Sequence, residues 1–229
     1  MTARALRRDA LSFDIDGAVR LDRAALSILP ELDALAVSCP ADRAGTRLCG
    51  DPALTPLVAP GSPLHGIAAA QLGADARAVR AILFDKSPAM NWALGWHQDR
   101  TIAVKARSEV AGYGPWTVKA GIAHVAPPFD LLERMVTMRV HLDDVGGDNA
   151  PLLIAPGSHR LGLVPEQAMD EAVARCGCYA CVAKRGDVWV YATPILHASD
   201  RARVAARRRV LQIDFCAEAL PPPLAWLGV

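Results

Sequence analysis

The chain has 229 residues, 52% of them hydrophobic and 21% charged, and this composition excludes an intrinsically disordered protein. Its 25 Lys and Arg residues are nearly balanced by 24 Asp and Glu residues, so the formal net charge of +1 argues against a nucleic-acid-binding protein. No segment approaches the roughly 18 consecutive apolar residues of a membrane-spanning helix. The N-terminus lacks an apolar signal segment as well, and we therefore expect a cytoplasmic protein that does not bind membranes.

The first third of the sequence has helical periodicity. Apolar residues recur at helical spacing over 24–36, and Cys39-Pro40 ends this run. The Pro- and Gly-rich passage 51–66 predicts an ordered loop, and the Ala-rich stretch 66–80 predicts a second helix. Together these patterns predict a helical N-terminal flank over about residues 1–78.

From residue 79 onward the pattern changes to short stretches rich in β-branched and aromatic residues. Their sequences are VRAILFDK, TIAVKA, ERMVTMRVHL, PLLIAP, DVWVYA and RRVLQIDF. Turn residues rather than helices separate most of them, which predicts an antiparallel sandwich or barrel instead of a parallel α/β sheet. The sequence has no internal repeat or long linker, so we expect one domain, 1–229, with a β core over about 79–216.

The six cysteines are too few and too irregularly spaced for a disulfide framework. Cys176, Cys178 and Cys181 lie close together, which suggests zinc. A structural zinc site usually needs four ligands in two pairs, however, and no second Cys-x-x-Cys pair is present. We therefore interpret these cysteines as small hydrophobic residues beside a strand.

Two His-x-Asp tripeptides are candidates for a metal site, His97-Gln98-Asp99 and His141-Leu142-Asp143. Residues two apart on a strand point to the same side, so both side chains of a tripeptide can reach one ion. Two histidines and one carboxylate are typical of non-haem Fe(II) oxygenases. The first tripeptide follows aromatic and small residues, whereas the second precedes a Gly-rich turn where an Asp pair is ordinary turn chemistry. The context favours the first tripeptide, and the second remains an alternative.

A third metal ligand is expected on a late strand, and His197, which follows DVWVYA, has this position. Arginines 207–209 come ten to twelve residues later and open the strand RRVLQIDF. An arginine there could bind the far carboxylate of a dicarboxylate cosubstrate through a bidentate ion pair. Because side chains alternate between the two faces of a strand, Arg209 shares a face with the apolar residues Leu211, Ile213 and Phe215. Arg208 lies on the opposite face. If only the interior of a barrel were apolar, Arg209 would point inward, so the residues themselves leave this choice open.

The segments WHQD, DNAPLLIAPGSHR, GDVWVYATPILHAS and RRRVLQIDF together resemble the phytanoyl-CoA dioxygenase family of Fe(II)- and 2-oxoglutarate-dependent oxygenases. The resemblance extends over about residues 13–215. It implies a mainly β double-stranded β-helix, which is a jelly-roll, cupin-like barrel, with flanking helices on its larger sheet. This arrangement allows the apolar face of RRVLQIDF to face helices instead of the barrel interior.

The resemblance also implies roles for individual residues. It implies His97, Asp99 and His197 as the iron ligands. The family's 2-oxoglutarate-binding arginine lies eleven residues after the distal histidine, which implies Arg208 rather than Arg209. Ser199 and Lys86 match positions that help to hold 2-oxoglutarate, although Lys86 could equally be an ordinary exposed lysine.

The implied function is an Fe(II)- and 2-oxoglutarate-dependent dioxygenase that uses O2 to hydroxylate a small organic substrate, with decarboxylation of 2-oxoglutarate to succinate. Asp99 disfavours halogenation, because related halogenases replace this carboxylate with a small residue. The alternatives are a cupin-like zinc hydrolase with the same ligands and a barrel that binds a metal or small ligand without turnover. Candidates for the lining of the substrate pocket are aromatic or basic: Trp96, Lys105, Tyr113 and Trp116. The sequence predicts neither the substrate nor the oligomeric state.

Overall fold

The computed structural model describes residues 10–40, 43–204 and 206–229, and the fold within these ranges is mainly β. Its α-helices are short: α1 (Phe13–Asp16), α2 (Leu29–Ser38), α3 (Thr55–Val58), α4 (Pro63–Leu72), α5 (Phe129–Glu133) and α6 (Met169–Cys176). Its strands are β1 (Ala18–Leu21), β2 (Gly45–Leu48), β3 (Arg77–Lys86), β4 (Leu94–His97), β5 (Ile102–Val104), β6 (Trp116–Lys119), β7 (Ile122–Val125), β8 (Met135–His141), β9 (Leu152–Ile154), β10 (Tyr179–Cys181), β11 (Val188–Ala192), β12 (His197–Ser199) and β13 (Arg208–Cys216).

Two antiparallel sheets enclose the centre of the molecule. The larger has the strand order β1-β11-β8-β13-β3-β2, and the smaller has the order β10-β9-β12-β4. A third sheet, β5-β7-β6, is separate from both. One cavity is lined by β3, β8 and β13 of the larger sheet and by β4, β9 and β12 of the smaller. Two antiparallel sheets around a shared interior form the jelly-roll arrangement that the sequence predicts.

The outer face of the larger sheet carries the main apolar core. Leu211, Ile213 and Phe215 of β13 are completely buried and belong to one cluster with Leu32 of α2 and Leu64 of α4. Burying a side chain of this kind contributes roughly 1.5–3 kcal/mol. The apolar face of β13 therefore packs against the N-terminal helices, and the side chains that alternate with it face the smaller sheet.

The inner face of the larger sheet carries several buried polar side chains. Gln212 and Asp214 of β13 lie opposite Arg139 and Thr137 of β8 in the register of the two strands. Arg139 Nη1 donates to Gln212 Oε1 at 2.7 Å, and Thr137 Oγ1 donates to Asp214 Oδ1 at 3.1 Å. Because buried polar groups are costly without hydrogen bonds, these cross-strand pairs make a polar interior compatible with a stable sheet.

The predicted helix over 24–36 and the six predicted β stretches are present, but the elements between them differ from expectation. The helix predicted over 66–80 ends at Leu72, because Gly73 takes a positive φ of 84° and donates its N–H to Ala69. The chain is already extended in β3 from Arg77 onward. The passage predicted as a loop contains α3 and the start of α4, where Ser62 accepts a hydrogen bond from the N–H of His65.

The N-terminal flank contributes strands as well as helices. β1 pairs with β11 and β2 pairs with β3, so this flank supplies both edge strands of the larger sheet. The longest α-helices have 10 residues. Among the described helices, none combines the length and the apolar character that crossing a membrane requires.

Candidate active site

Three predicted metal ligands meet at one end of the cavity. Cα register pairs His97 of β4 with His197 of β12, and their ring centroids are 4.2 Å apart. Asp99 follows two residues after β4 ends. One potential ligand atom from each of the three residues lies within 4.8 Å of the other two. Two imidazoles and one carboxylate in this arrangement can occupy one face of the coordination sphere of a metal ion.

Gln98 orients this segment from the opposite side. Its side chain is 4% exposed and points away from the cavity, where its amide donates to the carbonyls of Gly162 and Pro194. The side-chain carbonyl of Gln98 accepts from the N–H of Val164 at 2.9 Å. Because neighbouring side chains in extended chain point to opposite sides, anchoring Gln98 directs His97 and Asp99 towards the cavity. The sequence alone does not indicate a role for Gln98.

The hydrogen bonds of both histidines leave the same ring nitrogen available. Nδ1 of His97 lies 2.8 Å from the carbonyl oxygen of Gly95, and Nδ1 of His197 lies 2.9 Å from that of Ile195. When Nδ1 carries the proton and donates to a carbonyl, Nε2 has a free lone pair for a metal. Burial lowers the pKa of His197 to about 4, so its ring is neutral at pH 7, as a metal ligand requires.

Arg80 of β3 supports the carboxylate of the group. It forms ion pairs with Asp214 on the adjacent strand and with Asp99, the latter at 3.3 Å. Burial alone would raise the pKa of Asp99, but Arg80 and the two histidines outweigh it and the pKa lies below its ordinary value. Burial also opposes the charge of Arg80, whereas Asp214 and Asp99 raise its pKa. Asp99 is therefore a carboxylate held in place by a cation whose side chain is only 12% exposed.

The cavity contains two further guanidinium groups. Its volume is about 140 Å³, and its lining includes Arg208 and Arg139 as well as the three candidate ligands. Both arginines are buried, at 3% and 7% exposure, and neither has a carboxylate partner among the described residues. Burial and the neighbouring Arg139 lower the pKa of Arg208. A pocket with this charge favours an anion.

Ser199 and Lys86 lie at the Arg208 end of the cavity. Ser199 lines the cavity directly, and β-sheet register places Lys86 opposite Arg208. Lys86 is not in the cavity lining, because its ammonium group donates to the carbonyls of Trp92 and Asp200 at 2.7 and 2.9 Å. Burial, followed by Arg208 and Arg139, lowers the pKa of Lys86 to about 8. Lys86 therefore links the segment before β4 to the segment after β12 through these two hydrogen bonds.

Arg209 and the second His-x-Asp tripeptide lie elsewhere. Arg209 is on the outer face of the larger sheet, and its backbone N–H and guanidinium donate to Asp143 at 2.6–3.0 Å. His141 points into the sheet interior and has Val210, not a histidine, as its cross-strand neighbour. Within the described ranges, the group formed by His97, Asp99 and His197 is the only set of potential ligands that approaches closely enough to share an ion.

None of the four residues expected in the lining of the substrate pocket borders this cavity. Tyr113 and Trp116 pack in a separate apolar cluster around β5 and β7, and Trp96 packs against the cluster near α6. Lys105 is exposed and does not line the cavity. Trp92, Leu94 and other residues line it instead: Ile82, Phe84, Leu152, Ala198 and Gln212. Arg139 was also missed, although its place between Met138 and Val140 in an apolar strand is a signal for a buried charge.

The three clustered cysteines do not form a metal site in the described structure. Cys178 and Cys181 are buried, and all three are free. Burial raises the pKa of each of the three thiols, so they remain protonated at neutral pH. This environment agrees with their interpretation as small hydrophobic residues.

Several solved structures have the same fold. EctD from S. alaskensis, crystallised with 2-oxoglutarate and 5-hydroxyectoine, is 19% identical over 100% of this chain and 82% of its own, with a TM-score of 0.67. SnoN, a non-haem alpha-ketoglutarate-dependent epimerase from nogalamycin biosynthesis, is 15% identical over 94% and 83%, with a TM-score of 0.67. HygX from Streptomyces hygroscopicus, with nickel and 2-oxoglutarate bound, is 16% identical over 93% and 87%, with a TM-score of 0.58. These similarities confirm the predicted fold class.

No curated protein matches the sequence significantly. The family model described as phytanoyl-CoA dioxygenase (PhyH) matches residues 63–210, which is more than half of the chain. The matched region contains β3, the three candidate ligands, the turn before β9 and the start of β13, and so includes most of the cavity lining. The chain therefore belongs to the phytanoyl-CoA dioxygenase family, as its sequence motifs predict.

Proposed function

We propose that this protein is an Fe(II)- and 2-oxoglutarate-dependent oxygenase in which His97, Asp99 and His197 hold the iron and Arg208 holds the far carboxylate of 2-oxoglutarate. The observation that carries the proposal is the placement of the three ligands and of buried guanidinium groups in one small cavity. Membership of the phytanoyl-CoA dioxygenase family supports the same class of reaction.

The ligand set fits a divalent iron ion. Both histidines have Nδ1 next to a backbone carbonyl and can offer Nε2, while Arg80 keeps Asp99 ionised. Metal binding demands an ionised carboxylate and imidazoles with a free lone pair, and these three residues can supply both. Three protein ligands on one face leave the remaining positions for the cosubstrate and oxygen.

The cavity also fits the cosubstrate. 2-Oxoglutarate is a dianion, and the Nε atoms of Arg208 and Arg139 are buried without a hydrogen-bond partner in the described part of the chain. Burying the charge of Arg208 without a counterion costs free energy. A carboxylate bound to Arg208 would offset this cost through charge-assisted hydrogen bonds. Ser199, which lines the same end, can donate a hydroxyl to the same carboxylate. In a zinc hydrolase these guanidinium groups would have no role, and this favours the oxygenase.

Iron with 2-oxoglutarate and O2 supplies an oxidant that can replace a substrate hydrogen with a hydroxyl group, together with succinate and carbon dioxide. The chain's own contribution is to orient the ligands through Gln98 and Arg80 and to exclude bulk water from the reacting groups. The cavity has a volume of about 140 Å³, which favours a small or slender organic substrate, and we propose that it is hydroxylated in the cytoplasm.

The test is an anaerobic titration. Adding 2-oxoglutarate to the protein loaded with Fe(II) should produce a weak visible charge-transfer band, and the zinc-loaded protein serves as the control without a band. Admission of O2 and a panel of small metabolites should then stimulate the formation of succinate. Absence of the band together with absence of 2-oxoglutarate binding by calorimetry would overturn the proposal.

A further inference from the structure

Arg139 is the second buried guanidinium of the cavity, and its surroundings differ from those of a structural arginine. It extends from the middle of β8, is 7% exposed and lies 5.4 Å from the centre of the Phe84 ring. Its Nη1 donates to Gln212 Oε1 at 2.7 Å, and its Nε is buried without a partner among the described residues. Arg80, by contrast, has two carboxylate partners. Arg139 is thus held by an uncharged side chain, and its positive charge faces the cavity.

The register of the sheet places Arg139 between the two ends of the site. Arg139 lies opposite Gln212, four residues along β13 from Arg208 and two residues before Asp214. Asp214 binds Arg80, which in turn contacts the ligand Asp99. At about 3.3 Å per residue, Arg139 is therefore displaced from Arg208 towards the level of the metal ligands.

The two arginines of the cavity that have no carboxylate partner among the described residues equal in number the two carboxylates of the cosubstrate. Arg208 can pair with only the far carboxylate of 2-oxoglutarate, because this end of the molecule points away from the metal in the proposed function. The second carboxylate is adjacent to the keto group and lies on the metal side. From the position of Arg139 on that side, its cavity-facing charge and its lack of a carboxylate partner in the described chain, we infer that Arg139 binds the metal-side carboxylate of 2-oxoglutarate.

This inference rests on the proposed function and adds a second cosubstrate-binding residue to it. The competing assignment is that Arg139 binds an acidic group of the primary substrate. The two assignments differ in what happens when no primary substrate is present, because only a cosubstrate contact can then affect the affinity for 2-oxoglutarate.

A ligand that lacks one carboxylate separates the two arginines. 2-Oxopentanoate retains the metal-side carboxylate and the keto group of 2-oxoglutarate but has a methyl group in place of the far carboxylate. Both ligands would be titrated under nitrogen into the Fe(II)-loaded wild type and the variants Arg139→Gln and Arg208→Gln, with the charge-transfer band as the signal. The primary substrate is left out.

The expected pattern is a crossed one. Arg208→Gln should weaken 2-oxoglutarate on the order of a hundredfold and leave 2-oxopentanoate at its wild-type affinity. Arg139→Gln should weaken both ligands by a similar factor, at least about tenfold. Equal affinities of the wild type and Arg139→Gln for 2-oxoglutarate would overturn the inference. A loss for 2-oxoglutarate but not for 2-oxopentanoate would also overturn it, since Arg139 would then serve the far carboxylate.

Gln212→Glu tests the same contact without removing Arg139. The change keeps the size of the side chain and places a carboxylate next to the guanidinium, so it should compete with the ligand and weaken both 2-oxo acids. Iron affinity and melting temperature without ligand would be measured for each variant. If Arg139→Gln does not fold, wild-type affinity in Gln212→Glu overturns the inference. If the wild type itself fails to bind 2-oxoglutarate, the proposed function fails instead.

Discussion

The two His-x-Asp tripeptides of the chain have the same local form and different structural environments. His97 is the last residue of β4 and His141 is the last residue of β8, so each Asp lies two residues beyond its strand. In the first tripeptide, the histidine faces His197 across the sheet and the carboxylate contacts Arg80. In the second, the histidine faces Val210 and the carboxylate contacts Arg209 on the outer face.

The difference shows that cross-strand partners, and not the spacing of the tripeptide, decide which pair can bind a metal. Asp99 is directed inward because Arg80 lies on the inner face of β3, next to Asp214 of β13. Asp143 is directed outward because Arg209 lies on the apolar face of β13, at the edge of the helices. Each arginine binds its carboxylate through a contact between residues that are separated in sequence, by 19 positions for Arg80 and Asp99 and by 66 for Arg209 and Asp143.

The largest effect expected from this comparison is on turnover. Asp99→Ala should abolish activity and greatly weaken iron binding, because it removes one of three proposed ligands and leaves Arg80 with only Asp214. Asp143→Ala is the matched control and should keep iron affinity near the wild-type value. Iron content after dialysis and succinate formation would be measured for both proteins. Loss of iron from Asp143→Ala but not from Asp99→Ala would show that the second tripeptide is the metal site.

A smaller effect is expected for the two arginines at the start of β13. Arg208→Ala should weaken 2-oxoglutarate on the order of a hundredfold or more, since breaking a buried ion pair typically costs about 3–5 kcal/mol. Arg209→Ala should leave this affinity nearly unchanged, because Arg209 binds Asp143 and Asp33 outside the cavity. Titration of 2-oxoglutarate into the Fe(II)-loaded proteins under nitrogen measures both. Weakening by Arg209→Ala alone would contradict the proposed role of Arg208.

The sequence predicted the fold class and the family because their signals are local or cumulative. Alternating stretches such as RRVLQIDF identify strands by themselves, and several motifs in order identify the family. The choice between Arg208 and Arg209 could not be made from periodicity, since it depends on whether helices or the barrel interior cover the apolar face of β13. Arg139 and Gln98 were missed for a related reason. Arg139 contacts Gln212, and Gln98 contacts Gly162, Val164 and Pro194; no spacing rule reveals these contacts.

The last prediction concerns His141, the histidine of the second tripeptide. Its ring is 2% exposed, and burial, followed by Arg139 and Arg208, lowers its pKa to about 3. The folded protein therefore keeps His141 neutral, whereas the unfolded chain takes up a proton below its ordinary pKa of about 6.5. His141 therefore does not reduce the free energy of unfolding above pH 6.5. As the pH falls from 6.5 towards 3, this one residue lowers the free energy of unfolding by about 1.4 kcal/mol per pH unit.

His141→Gln removes this titration and keeps a polar side chain of similar size. Urea unfolding of both metal-free proteins between pH 7.5 and 4.5 would give the difference in free energy of unfolding. This difference isolates His141, because His97, His197 and all carboxylates remain in both proteins. The wild type should lose more stability than the variant as the pH decreases below 6.5. Parallel curves would mean that His141 accepts a proton within the folded protein, and the second tripeptide would then differ from the first less than its burial indicates.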